Sequence, residues 1–174
     1  MIHAIFLFLV TIPTSSFGIT SSLAACQQID TTKVIENIRK QYLEINSRLD
    51  TYQKATKDIL GESSEGGQAD VYYDGDSMKK MVITHYGAIG KVTAEYYIQE
   101  TKVFFIFIKR TVYDKPIYEK GSKVSAVEED RFYFYEDKMI RWIDSSKNIV
   151  NPATEIFQLK EKELLNASLL KFDD

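Results

Sequence analysis

The chain has 174 residues, with 22 Lys or Arg and 25 Asp or Glu, so its net charge at pH 7 is −3. This balance excludes the basic composition that is typical of nucleic-acid-binding domains. A single cysteine excludes an internal disulfide and any zinc site built on several cysteines. Aromatic residues make up 13% of the chain, which favours a sheet-rich domain because Tyr and Phe pack well on strands.

The first 25 residues contain no Lys, Arg, Asp or Glu. Ile5 to Val10 is an unbroken apolar run, and small residues follow it up to Cys26. A short apolar run that ends in small residues is typical of a signal peptide. Pro13 and its Ser and Thr neighbours argue against a membrane-spanning helix, which needs about 20 mostly apolar residues. We therefore predict a signal peptide over 1–25 and one mature domain over 26–174.

The segment Leu23-Ala24-Ala25-Cys26 resembles the lipobox of bacterial lipoproteins, where the signal peptide is cut and the new N-terminal cysteine is lipidated. This resemblance implies that a multiply acylated Cys26 anchors the chain to a membrane. If the source is Gram-negative, the resemblance also implies the outer membrane, because Gln27 stands where inner-membrane lipoproteins carry Asp. The alternatives are a secretory leader cut after Ala24 or Gly18, or an apolar N-terminal segment of a cytosolic protein.

Residues 30–60 are predicted to form one long helix. Apolar side chains recur at steps of three and four, with Thr56 filling one gap: Ile35, Ile38, Tyr42, Ile45, Leu49, Tyr52 and Ile59. Asp30, Thr31 and Thr32 are N-cap candidates, and Gly61 is a C-terminal stop. The stripe is heptad-like, so a self-associating coiled coil is an alternative to packing on the domain's own sheet. We favour packing, because few heptads are present.

Residues 69–144 are predicted to form an antiparallel meander of about five or six strands, because period-two runs alternate with short turns. Val103 to Ile108 is apolar on both faces, which indicates a central strand covered on both sides. A final helix over 152–171 is predicted to begin with Asn151 as N-cap and Pro152 at its first position. The fold class is therefore α+β: a long helix, a meander and a C-terminal helix.

Three predicted hairpins share paired aromatics, a polar turn, a lysine and apolar residues, and they begin at Tyr72, Tyr96 and Phe134. This pattern resembles the hairpin repeats of MORN-like proteins and of bacterial lipoproteins with β-meander domains. The resemblance covers roughly Ala69 to Asp144, and it implies no functional residues.

The sequence offers no convincing catalytic, metal or cofactor set. His85 alternates with Ile83 and is interpreted as a strand-end residue. Asp74-Gly75-Asp76-Ser77 departs from a calcium loop, because an EF-hand needs an acidic ligand where His85 stands. The run Glu128-Glu129-Asp130 is interpreted as a solvated or edge-protecting stretch. We predict a non-enzymatic protein without a cofactor.

An aromatic platform on an open sheet face is the best binding candidate, for a protein, peptide or glycan partner. Its predicted members are Tyr73, Tyr97, Tyr133, Tyr135 and Trp142. We interpret the chain as a lipid-anchored envelope protein that binds a partner through this sheet. The alternative is a secreted or periplasmic module that holds a small ligand or peptide in an aromatic-lined cavity between sheet and helix. The least favoured hypothesis is a hydrolase that uses His85 and the acidic residues.

Overall fold

The structure is a computed structural model that describes residues 30–59 and 65–169. It is an α+β fold in which a seven-stranded antiparallel meander carries one helix on each face. The predicted signal peptide over 1–25 and Cys26 lie outside the described residues. In chain order the elements are α1 (Thr31–Ser47), a 3-10 turn (Leu49–Thr51), β1 (Gln53–Ile59), β2 (Gly67–Asp74), β3 (Ser77–Gly87), β4 (Gly90–Gln99), β5 (Lys102–Tyr113), β6 (Val124–Tyr135), β7 (Lys138–Ile143) and α2 (Glu155–Leu169).

The helix α1 begins where the sequence places it and ends earlier. Asp30 is the N-cap, and its side chain accepts hydrogen bonds from the backbone N–H groups of Thr32 and Lys33. The first four residues of the apolar stripe lie on the side of α1 that packs on the sheet, so the helix packs within its own domain. At the last residue of α1, Ser47 Oγ donates to the Glu44 carbonyl at 2.8 Å, a local bond that competes with helical hydrogen bonding.

The prediction of helix over residues 53–59 is wrong, because Gln53–Ile59 forms the edge strand β1. Each of its seven residues pairs with a residue of β2, from Gln53 opposite Tyr73 to Ile59 opposite Gly67. The strand has no buried face that would create a period-two apolar pattern, since its first six residues are exposed. Leu60 and Gly61, the predicted end of the helix, lie outside the described residues.

The strands follow the chain order from β1 to β7, and every neighbour pair is antiparallel. Two-residue turns at 75–76, 88–89, 100–101 and 136–137 join β2 to β3, β3 to β4, β4 to β5 and β6 to β7, so the predicted short connections are observed. Both residues of the last two turns have positive φ, as the favoured two-residue hairpin turn requires. The expected count of five or six strands is corrected to seven, because β1 was assigned to the helix.

The two faces of the sheet carry separate apolar clusters. On the α1 face, Tyr97, Phe105 and Tyr133 pack with α1, whereas the larger cluster on the α2 face contains Phe157 and Leu164 of α2. Tyr96 and Tyr97, for example, belong to opposite clusters because strand side chains alternate between faces. Residues 103–106 of β5 are all buried, so the predicted central strand covered on both sides is confirmed.

The helix α2 begins three residues later than predicted. Asn151 Oδ1 accepts a hydrogen bond from the Ala153 N–H at 2.9 Å, and Thr154 Oγ1 donates to the Asn151 carbonyl at 2.7 Å. These bonds close a separate turn over 151–154, and the regular helix starts at Glu155. Residues 170 and 171 of the predicted helix lie outside the described residues. No helix of the described part of the chain is long and apolar enough to span a membrane.

The raised pKa of Tyr96 predicts that the unfolding free energy falls at alkaline pH. Burial, together with the Glu163 carboxylate of α2, raises the pKa of Tyr96 to about 12. Tyrosines of the unfolded chain ionise near pH 10. This contribution to stability is therefore complete below about pH 10 and is lost as pH rises toward 12.

We expect the Tyr96→Phe variant to lose less unfolding free energy than the wild type between about pH 10 and pH 12, by on the order of 2 kcal/mol. Urea titrations followed by circular dichroism measure both losses, with a titration at about pH 8 as the reference. Equal losses in the two proteins would contradict the prediction.

Candidate functional site

The five residues of the predicted aromatic platform do not share an open face. Tyr97 and Tyr133 are buried beside α1, whereas Trp142 belongs to the cluster of the α2 face and Tyr73 packs against that cluster. Tyr135 is 39% exposed at the end of β6. The prediction of an open platform is therefore corrected. A helix packs on each face of the sheet, and the buried rings are divided between the two faces.

A partly buried polar network lies under α1 at the centre of the sheet, with Lys80 and Tyr97 buried and Asn46 and Glu95 half-buried. Lys80 Nζ is 2.7 Å from Glu95 Oε2 and donates to Asn46 Oδ1 at 3.0 Å. The Tyr97 hydroxyl donates to Glu95 at 2.6 Å and accepts a hydrogen bond from Asn46 Nδ2 at 3.1 Å. The four side chains close a ring that joins α1 to β3 and β4. Because every member has a partner, the ring satisfies polar groups that would be costly to bury alone.

A cation–π contact adds to this network, and Tyr97 keeps its proton within it. The ammonium group of Lys80 lies 4.8 Å from the centre of the Tyr97 ring, a distance suited to a cation–π contact. Burial, and next the hydrogen bond to Glu95, raise the pKa of Tyr97 far above its ordinary value, so its hydroxyl keeps its proton. The network is therefore a fixed support for α1.

A cleft opens beside this network, between α1 and the strands β5 and β6. Its volume is about 320 Å³, at the lower end of the range for small-molecule sites. Two cross-strand pairs form its floor: Phe105 lies opposite Tyr133, and Phe107 lies opposite Arg131. The remaining lining residues come from α1 and β6: Ile38, Arg39, Tyr42 and Glu129.

The aromatic rings of the cleft are fixed by contacts with one another. The Tyr42 ring meets Phe105 edge-on with 5.4 Å between centroids, and Phe105 is 5.0 Å from Tyr133. Tyr42 also lies 5.0 Å from Tyr97, so the aromatic chain continues into the polar network. The Asn46 side chain donates to the Tyr42 carbonyl at 2.8 Å, which fixes this turn of α1. The apolar wall of the cleft is therefore preformed.

Charged groups of both signs line the cleft. Arg131 pairs with Glu129 at 2.8 Å, and its guanidinium lies 5.3 Å from the centre of the Phe107 ring. Arg39 is exposed, and it forms no ion pair with a residue of the described ranges. Its guanidinium group is thus available to a carboxylate, phosphate or sulfonate. The cleft can hold an apolar body against aromatic rings while Arg39 binds an anionic group.

The acidic run on β6 is divided between ion pairs on the two faces. Asp130, buried on the α2 face, pairs with Arg110 and accepts a hydrogen bond from Trp142 Nε1 at 3.1 Å. Glu129 pairs with Arg131 on the other face. His85 lies on β3, opposite Gly67 and Val92. Within the described residues no group of three or more His, Cys, Asp or Glu side chains could hold a metal ion.

Sequence reasoning missed most of the cleft. Neither Arg39 nor Phe107 was predicted to belong to a site. The alternation of Glu129, Arg131 and Tyr133 along β6 was a usable signal, because such residues share one face of a strand. Their partners on α1 could not be found without the position of the helix.

No family model, curated protein or solved structure matches this chain. The lipobox and the MORN-like resemblance therefore stay predictions.

The polar network predicts a large stability loss when Lys80 is removed. Lys80→Met leaves the Glu95 carboxylate and the Asn46 carbonyl oxygen without their cationic partner. We expect the unfolding free energy to fall by about 2–4 kcal/mol. Denaturant titration measures the loss, and Lys79→Met is the matched control because Lys79 forms no ion pair with a described residue.

The double variant Lys80→Met/Glu95→Gln completes the test. The double variant removes both charges of the pair. Its loss of unfolding free energy should therefore be smaller, by roughly 1–3 kcal/mol, than the sum of the losses of Lys80→Met and Glu95→Gln measured alone. Additive losses would contradict the proposed pairing, and so would equal effects of Lys79→Met and Lys80→Met.

Proposed function

We propose that this protein is a lipid-anchored, non-enzymatic binding protein of the cell envelope that holds a small amphipathic ligand in the cleft between α1 and strands β5 and β6. The cleft is the observation that carries the proposal. It combines a preformed aromatic wall, an Arg39 that has no ion partner among the described residues, and a partly exposed Glu129–Arg131 pair. Few polar groups on a mostly apolar wall are typical of small-molecule sites. The fitting ligand has an apolar or aromatic body and one anionic group.

The anchor belongs to the same proposal. Cys26 is its lipidated residue, and the outer membrane is its location, with the domain facing the periplasm or the cell surface. The lipobox resemblance and the lone cysteine support this part. A secreted or periplasmic protein with the same cleft and no lipid is the alternative.

Lipidation is tested by the N-terminus of the mature protein. We expect mass spectrometry of the chain from its native membrane to find Cys26 as the first residue, carrying acyl chains. The Cys26→Ser variant should lose the acyl chains and leave the membrane fraction. Globomycin, which blocks the lipoprotein signal peptidase, should cause the uncut precursor to accumulate. Cleavage after Gly18 or an unmodified Cys26 would contradict the anchor and leave the cleft unaffected.

Ligand binding is tested with 1-anilinonaphthalene-8-sulfonate, a fluorescent probe that has an aromatic body and one sulfonate. We expect this probe to bind the wild-type protein and to gain fluorescence. Arg39→Glu should weaken binding roughly tenfold, because a repelling carboxylate replaces the charge-assisted hydrogen bond.

Lys40→Glu is the matched control, since it makes the same charge change on the neighbouring residue of α1, which does not line the cleft. Circular dichroism melting curves of both variants establish that the fold is retained. Equal probe binding by Arg39→Glu and Lys40→Glu would contradict the proposed site.

A further inference from the structure

The two edges of the sheet differ in how they are covered. At the β7 edge, the Met139 N–H donates to Glu161 Oε2 of α2 at 2.8 Å, and the Val150 N–H donates to the Trp142 carbonyl at 3.0 Å. A bridge between Ile143 and Ile149 continues this cover. At the β1 edge, β2 is the only strand partner of β1 within the described residues.

The open edge is a candidate surface for pairing with another strand. Six of the seven residues of β1 are exposed, so both faces of the sheet at this edge are accessible to another strand. An uncovered edge presents backbone N–H and C=O groups that can continue a sheet. The charges on β1 decide which strand fits, because directly opposed residues of antiparallel strands interact.

We propose that β1 pairs in antiparallel orientation with β1 of a second copy of this chain, with Thr56 opposite Thr56 on a two-fold axis. Lys54 then lies opposite Asp58 of the second copy, and Asp58 lies opposite its Lys54. Both ion pairs form at once, as the self-complementary interface of a two-fold dimer requires. The sheet continues through both copies, with the two α1 helices on the same side.

The charge pattern selects this register over its neighbours. An axis on Lys57 would place two Lys57 side chains opposite each other, and an axis on Ala55 would place Lys54 opposite Thr56 and form no ion pair. In the proposed register Lys57 faces only Ala55. Asp58 forms no ion pair with a described residue, so its carboxylate is available. Lys54 lies on the same face as Asp58 because the two are four residues apart on the strand, and its ammonium group also pairs with Asp70 of β2 at 2.9 Å.

A charge exchange between two variants tests the proposal with the full chain in a non-ionic detergent. Alone, Lys54→Asp places two pairs of aspartates at the interface, and Asp58→Lys places two pairs of lysines there. We expect the dissociation constant of each variant to rise roughly 30-fold, measured by analytical ultracentrifugation. Mixing the two variants should restore the dimer, because the introduced aspartate of one then faces the introduced lysine of the other.

Lys57→Asp is the matched control and should leave dimerisation unchanged, since position 57 faces Ala55. Crosslinking gives an independent reading: Thr56→Cys places two cysteines opposite each other within reach of a disulfide. A wild-type chain that stays monomeric would overturn the proposal. Two variants that do not associate when mixed would also overturn it, as would a Thr56→Cys chain that crosslinks no better than the wild type with its native Cys26.

Discussion

The ring of Asn46, Lys80, Glu95 and Tyr97 is the interaction on which the arrangement of the α1 face depends. Apolar contacts alone leave a helix free to slide or rotate on a sheet, because the hydrophobic effect has no direction. Hydrogen bonds and ion pairs restrict it, since a shift of one residue would leave buried polar groups without partners. The cost of such unpaired groups makes the observed position of α1 the favourable one.

The position of the cleft follows from that of the network. Tyr42 lies one helical turn before Asn46, and its carbonyl accepts a hydrogen bond from Asn46 Nδ2. Its ring contacts both Tyr97 of the network and Phe105 of the cleft floor. Any ligand in the cleft therefore meets a wall that is held by contacts outside it. Such preorganisation lowers the entropic cost of binding.

The coarse fold could be predicted from the sequence, and the cleft could not. Burial on both sides of Val103 to Ile108, the short turns and the stripe on α1 all follow from patterns of neighbouring residues. The edge strand β1 was missed because its side chains remain in water on both faces, which removes the period-two signal. The hydrogen bond between Lys80 and Asn46 could not be predicted for a different reason. The two residues are 34 positions apart in the sequence, and only the packing of α1 brings them together.

The proposed anchor would set which parts of the domain lie near the membrane. Four residues separate Cys26 from α1 at Thr31, so an extended connection reaches no more than about 18 Å. The start of α1 would therefore lie close to the bilayer surface. Arg39 follows Thr31 by about two helical turns, roughly 12 Å along the axis. Arg39 would therefore lie within about 30 Å of Cys26.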